Sequence, residues 1–102
     1  MAISKSDARP LCTKREWEML SQSWPPELAK VTPGRLRQKV QRARNIRDKY
    51  RDLARQQAGE ARGKRNPKST RAAQGNRNTK LKAQIFDEAL ERFQARLAEV
   101  ES

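Results

Sequence analysis

The stretch RLRQKVQRARNIRDKYRDLARQQA, residues 35–58, decides the fold of this chain. It holds neither Gly nor Pro, and it would make about six to seven helical turns. Thr32 and Pro33 precede it as an N-cap residue and a Pro at the first helical position. Gly59 follows directly and is well placed as a stop signal. The sequence therefore predicts one long helix from Arg35 to Ala58.

The apolar residues of this predicted helix fall on one face. They recur mostly at spacings of three and four residues, which gives a continuous stripe at about 100° per residue. We expect the stripe to pack against a second helix. Its members are Leu36, Val40, Ala43, Ile46, Tyr50, Leu53, Ala54 and Gln57.

Cations border the stripe on both sides. Their alkyl stems can cover the flanks of a buried stripe while their charged heads project outward. The first edge consists of Arg35, Arg42 and Lys49, and the second edge consists of Arg37, Arg44, Arg51 and Arg55. Lys39 and Arg47 lie nearer the stripe itself. The face opposite the stripe is neutral to acidic, with Gln38, Gln41, Asn45, Asp48, Asp52 and Gln56.

The segment before the long helix predicts a tail and one short helix. Residues 1–12 are mostly polar and are expected to form a flexible tail. Thr13 and Glu16 match a capping box, which predicts a helix from about Lys14 to Gln22. Trp24-Pro25-Pro26 ends it, because Pro lacks the backbone donor and restricts the residue before it.

A basic connection and a C-terminal helix complete the chain. Residues 59–78 show no apolar periodicity and are predicted to be a flexible basic segment. A helix is expected from about Lys80 to Val100. Its apolar stripe is Leu81, Ile85, Phe86, Ala89, Leu90, Phe93, Leu97 and Val100.

These elements predict an all-α fold. Residues 13–102 would form a single small helical domain in which the long basic helix packs on the C-terminal amphipathic helix. The apolar fraction is 34%, against about 45–50% for a typical globular domain, so a large core is not expected. We expect one end of the core to be closed by Trp17, Leu20, Trp24, Leu28 and Val31.

The basic charge is concentrated in one part of the chain. Residues 35–82 hold seventeen Lys or Arg against three acids, and the net charge is +12. Such a local field attracts a polyanion, so we expect a nucleic-acid-binding protein that contacts phosphates of duplex DNA or structured RNA with low sequence specificity. The expected contacts are Arg35, Arg37, Lys39, Arg42, Arg44, Arg47, Lys49, Arg51, Arg55, Arg62, Lys64, Arg65, Lys68 and Arg71.

Composition disfavours catalysis and the common metal sites. There is no His and a single cysteine, Cys12, which excludes mixed Cys–His zinc sites, His-based acid–base chemistry and an intrachain disulfide. We expect no enzyme activity, no cofactor and no metal. Neither a signal peptide nor a membrane-spanning run is evident. The expected location is the cytoplasm, in association with nucleic acid or the nucleoid.

An adaptor or inhibitor role is the alternative function, and self-association is considered separately. The chain could be a small helical adaptor or inhibitor of an acidic protein such as a nuclease or polymerase, anchored through the tryptophans or through Phe86 and Phe93 and steered by its cations. A homodimer is also expected, since two long helices offer much apolar stripe for few residues to cover.

Two stretches, RARNIRDKYRDL at 42–53 and KAQIFDEA at 82–89, resemble the two halves of a basic helix-loop-helix protein. In that family a basic helix enters the major groove and a second helix completes a dimeric bundle. The resemblance covers about half of the chain. The base-reading Glu of the family is missing from the basic stretch and the connection is long, so no site residue is carried over.

Overall fold

The computed structural model describes residues 2–63 and 69–101, with side chains outside residues 60–76. All secondary structure in this part of the chain is helical, which confirms the all-α prediction. The α-helices are α1 (Lys5–Ala8), α2 (Lys14–Leu20), α3 (Pro33–Gly63) and α4 (Ser69–Glu101). Short 3₁₀ helices lie at Arg9–Leu11, Ser21–Ser23 and Glu27–Lys30.

Helices α3 and α4 pack against each other in antiparallel orientation. Arg37 near the start of α3 pairs with Glu101 at the end of α4, whereas Tyr50 stacks on Phe86 with ring centroids 6.2 Å apart. The predicted stripes of both helices meet in this contact. Leu36, Ala43, Phe86, Ala89 and Phe93 are fully buried.

Both long helices extend further than the sequence predicts. Helix α3 continues through Gly59 to Gly63, so the predicted stop at Gly59 is wrong. Gly59 has no positive φ, and one Gly inside a long helix costs only about 1 kcal/mol relative to Ala. Helix α4 starts at Ser69 rather than near Lys80. The flexible segment predicted over 59–78 is therefore helical at 59–63 and 69–78, and residues 64–68 lie outside the described part.

The short helix α2 begins as predicted. Thr13 Oγ1 accepts a hydrogen bond from the Glu16 N–H, and Glu16 Oε1 accepts one from the Thr13 N–H, which completes a capping box. The helix is followed by a 3₁₀ turn that ends at Ser23, and Trp24 has extended backbone. The stop expected at Trp24-Pro25-Pro26 is confirmed.

Residues 2–12 differ from the predicted flexible tail. Ser4 caps α1 by accepting from the Asp7 N–H, and Ala8 is fully buried in the core. The Ile3 N–H donates to Glu88 Oε1 at 2.9 Å, which ties the N-terminus to α4. The capping pattern from Ser4 to Asp7 is the sequence signal that could have indicated this helix.

One end of the core is closed as expected by the segment between α2 and α3. Trp17, Trp24, Leu28 and Val31 are partly buried and pack on the core, and Leu20 is fully buried. The Arg92 guanidinium lies 4.2 Å from the centroid of the Trp24 ring and donates to the Ser23 carbonyl and hydroxyl. Among the described residues, no helix is long and apolar enough to cross a membrane.

Candidate nucleic-acid interface

The first edge of α3 carries cations without acidic partners. Arg35, Arg42 and Lys49 are exposed, and none of them forms an ion pair with a described residue. Lys49 Nζ instead lies 5.4 Å from the centroid of the Tyr50 ring. Because no described carboxylate pairs with these three side chains, their positive charge remains available to a ligand.

The second edge of α3 is largely neutralised. Arg37 pairs with Glu101, Arg51 lies 3.5 Å from Asp87, and Arg55 lies 3.9 Å from Asp52. In the described chain, Arg44 alone of this edge makes no ion pair. Exposed pairs of this kind are weak, yet they reduce the local field that a phosphate meets. The two edges look equivalent in the sequence, whereas in the structure most cations of the second edge have acidic partners and those of the first edge have none among the described residues.

Lys39 lies beside the first edge, close to other positively charged side chains. Burial lowers the pKa of the Lys39 ammonium below its ordinary value, and the positive charges of Arg35 and Arg42 lower it further. No described acid pairs with it. An anion placed among these three side chains would relieve their mutual repulsion.

A groove between the N-terminal segment and α3 extends the first edge. One cleft of about 260 Å³ is lined by Arg15, Glu18, Met19, Gln22, Lys39 and Arg42. A second cleft of about 240 Å³ is lined by Gln22, Glu27, Lys30, Val31, Arg35 and Lys39. Because Gln22 and Lys39 line both clefts, the two adjoin.

Arg15 and Lys30 thus join the candidate interface, although no pattern in the sequence indicated them. Arg15 lies in α2 and Lys30 in the 3₁₀ helix Glu27–Lys30, and only the packing of these helices on α3 brings them beside Lys39. Five cations face Glu18 and Glu27 along this groove, so the positive charge exceeds the negative charge.

Arg47 is engaged in ion pairs within the protein and is not a free cation on the surface. Its side chain is 18% exposed, and its guanidinium donates to Asp87 and Asp48, each at 3.1 Å. Burial alone would lower the pKa of Arg47, but the hydrogen bonds and charges of the two carboxylates outweigh it and raise the pKa. Of the predicted phosphate contacts near the stripe, Lys39 remains available and Arg47 links α3 to α4.

Tyr50 packs in the core, as its place on the stripe predicts. It is 7% exposed, and its hydroxyl donates to Glu16 Oε2. Lys82 Nζ lies 3.3 Å from the other carboxylate oxygen of Glu16. Burial raises the pKa of the neighbouring Cys12 thiol to about 11, and the Glu16 charge adds to the shift. The cluster joins α2, α3 and α4 and leaves Tyr50 unavailable for base stacking.

The neutral face of α3 is exposed, as predicted. Gln41 Nε2 donates to Asn45 Oδ1 at 3.0 Å, and Asp48 and Asp52 lie on the same side of the helix. The predicted contacts Lys64, Arg65 and Lys68 lie outside the described residues, as do the side chains of Arg62 and Arg71.

The apolar anchors considered for a protein partner are mostly covered. Phe86 and Phe93 are fully buried between α3 and α4, whereas Trp17 and Trp24 are partly buried with ring centroids 6.2 Å apart. Both tryptophans also carry a guanidinium over the ring, from Arg9 and Arg92 respectively. The adaptor role stays a prediction that now depends on the tryptophans.

In the described part of the chain, no cluster of three or more His, Cys, Asp or Glu side chains could hold a metal ion. Comparison of the sequence and structure with protein-family models, curated proteins and solved structures found no match.

Proposed function

We propose that this chain is a non-catalytic nucleic-acid-binding protein that contacts the phosphate backbone of duplex DNA or structured RNA. The observation that carries the proposal is the run of cations without acidic partners along one side of α3. Arg35, Arg42 and Lys49 form its first edge, and Lys39 lies beside them. A protein with this role would act in the cytoplasm, on nucleic acid or the nucleoid.

The spacing of the first edge suits a regular backbone of phosphates. Its three cations recur every seven residues, which corresponds to about 10.5 Å along a helix rising 1.5 Å per residue. Three base-pair steps of about 3.4 Å advance nearly the same distance along the axis of a duplex. Arg15 and Lys30 widen the contact across the groove.

Low sequence specificity is expected because the polar side chains of α3 that could read bases lie away from the first edge. Direct base reading uses Arg, Asn or Gln held at a groove floor. Gln38, Gln41 and Asn45 lie on the opposite face of α3, next to Asp48 and Asp52, whose charges repel phosphates. The binding would therefore rely on shape and charge.

Salt dependence tests this function. Each phosphate neutralised on a B-DNA duplex contributes about −0.9 to the slope of log affinity against log salt, so four to six contacts predict a slope of about −3.6 to −5.4. The measurement is fluorescence anisotropy of a labelled duplex over a series of salt concentrations. A slope near zero, or no binding at low salt, would contradict the proposal.

A further inference from the structure

The groove beside the first edge contains two polar oxygens that lack partners. Gln22 Oε1 and Glu27 Oε2 are enclosed, and neither has a hydrogen-bond partner among the described residues. Both side chains line the cleft of about 240 Å³. A buried acceptor without a donor is unfavourable, so a ligand that brings N–H groups to this cleft would be stabilised there.

The same cleft also attracts negative charge. Lys30, Arg35 and Lys39 line it, and none of the three pairs with a described acid. A simple phosphate would satisfy these cations but would be repelled by Glu27. The fitting ligand therefore carries N–H donors at one end and a phosphate at the other.

We propose that this cleft binds an unpaired guanine nucleotide, with the base edge on Gln22 and Glu27 and the phosphate on Lys30, Arg35 and Lys39. Guanine presents its N1–H and N2–H donors side by side, which suits a cleft that holds two acceptors without partners. Val31 supplies an apolar wall for the base. The nucleotide must be unpaired, because cytosine occupies the N1–H group in a duplex. This inference rests on the proposed function, because the unpaired nucleotide would belong to one strand of a duplex that the protein binds.

The other bases fit less well. Adenine and cytosine each place a ring-nitrogen acceptor beside their amino group, and that acceptor would face a carboxylate or amide oxygen. Uracil and thymine offer one N–H between two carbonyls. Room is sufficient for a purine, because a cavity of about 150 Å³ already holds benzene and the cleft measures about 240 Å³.

Duplexes with a single bulged nucleotide test the inference. We expect the full chain to bind a bulged guanine about tenfold more tightly than a bulged adenine or a fully paired duplex, the discrimination typical of one good bidentate contact. The double variant Gln22→Met with Glu27→Gln should lose this preference. The affinity of this variant for the paired duplex should stay the same or rise, because one negative charge is removed. Retained binding of the paired duplex would also show that the variant is folded.

Glu18→Gln is the matched control, since it removes one carboxylate from the adjoining cleft. It should keep the guanine preference. A wild-type protein that binds all duplexes equally, or a double variant that keeps the preference, would overturn the inference and leave the proposed function intact.

Titration with GMP and AMP separates the two sources of the nucleotide. A preference confined to the bulged strand assigns the cleft to nucleic acid, and a comparable preference for GMP over AMP assigns it to a free nucleotide. If no duplex binds at any salt concentration, the proposed function fails. In that case a GMP preference alone supports the cleft assignment, and equal binding of GMP and AMP overturns it.

Discussion

Glu16 connects three helices through one carboxylate. It caps α2 through the Thr13 N–H, accepts from the Tyr50 hydroxyl on α3, and pairs with Lys82 on α4. Its side chain is only 12% exposed, so these partners replace water almost completely. Burial alone would raise the pKa of Glu16, but the hydrogen bonds from Tyr50 and Thr13 and the charge of Lys82 lower it below its ordinary value.

The shifted pKa of Glu16 predicts an acid-sensitive fold. Because this pKa is lower in the folded chain, its stabilisation is present above the ordinary value of 4.5 and is lost as the pH falls through the folded pKa. We expect Glu16→Ala to reduce the free energy of unfolding by about 2 kcal/mol at neutral pH. The difference from wild type should shrink below about pH 4.5, as measured by urea unfolding.

Glu18→Ala provides the comparison, since Glu18 is exposed two residues away. It should change the free energy of unfolding by less than about 0.5 kcal/mol at either pH. Equal effects of the two substitutions, or a Glu16→Ala effect that grows at acid pH, would contradict the role of the cluster.

At the scale of elements, local signals predicted helix type and the starts of α2 and α3 well. The capping box at Thr13 and the Thr32-Pro33 pair mark starts that the structure confirms to within a residue or two, because caps are local hydrogen bonds. The end of α3 and the start of α4 were harder to predict. Gly59 indicates a stop in the sequence, yet α3 continues to Gly63, and α4 begins at Ser69 in a segment without apolar periodicity.

Gly59 gives a direct test of this difference. The structure places it inside α3 without a positive φ, and a Cβ built there meets no atom within 4 Å. Gly59→Ala should therefore stabilise the protein by about 0.5–1 kcal/mol, because Ala loses less backbone entropy in a helix. Thermal and urea unfolding would measure the change. A destabilisation of similar size would indicate a left-handed helix cap at this residue.

At the scale of the whole molecule, the sequence predicted which residues are basic but not which of them remain available. Arg37 and Arg42 look equivalent in sequence, and only the antiparallel pairing of α3 with α4 brings Glu101 to Arg37 and leaves Arg42 unpaired. The contributions of Arg15 and Lys30 could not be predicted either, because they depend on how α2 and the 3₁₀ helix Glu27–Lys30 pack on α3.

The case for a homodimer has also changed. It rested on apolar stripes that seemed too long for the chain to cover by itself. In the structure, the stripes of α3 and α4 cover each other, and Phe86, Ala89 and Phe93 are fully buried. The homodimer stays a prediction, but uncovered apolar stripes no longer support it.

The central claim is that free charge along the first edge binds nucleic acid. Two triple variants that each remove three positive charges test it most directly. One carries Arg35→Gln, Arg42→Gln and Lys49→Gln, and the other carries Arg37→Gln, Arg51→Gln and Arg55→Gln. Circular dichroism would verify that both retain their helices, since all six side chains are exposed.

The deciding measurement is the salt dependence of duplex affinity for the two triple variants and the wild type. Loss of three phosphate contacts should reduce the magnitude of the log–log slope by about 2.7 for the first-edge variant. The second-edge variant should change the slope by less than about 1, because carboxylates beside those side chains already reduce the field that a phosphate meets. Equal changes in the two variants, or a larger change in the second-edge variant, would contradict the account.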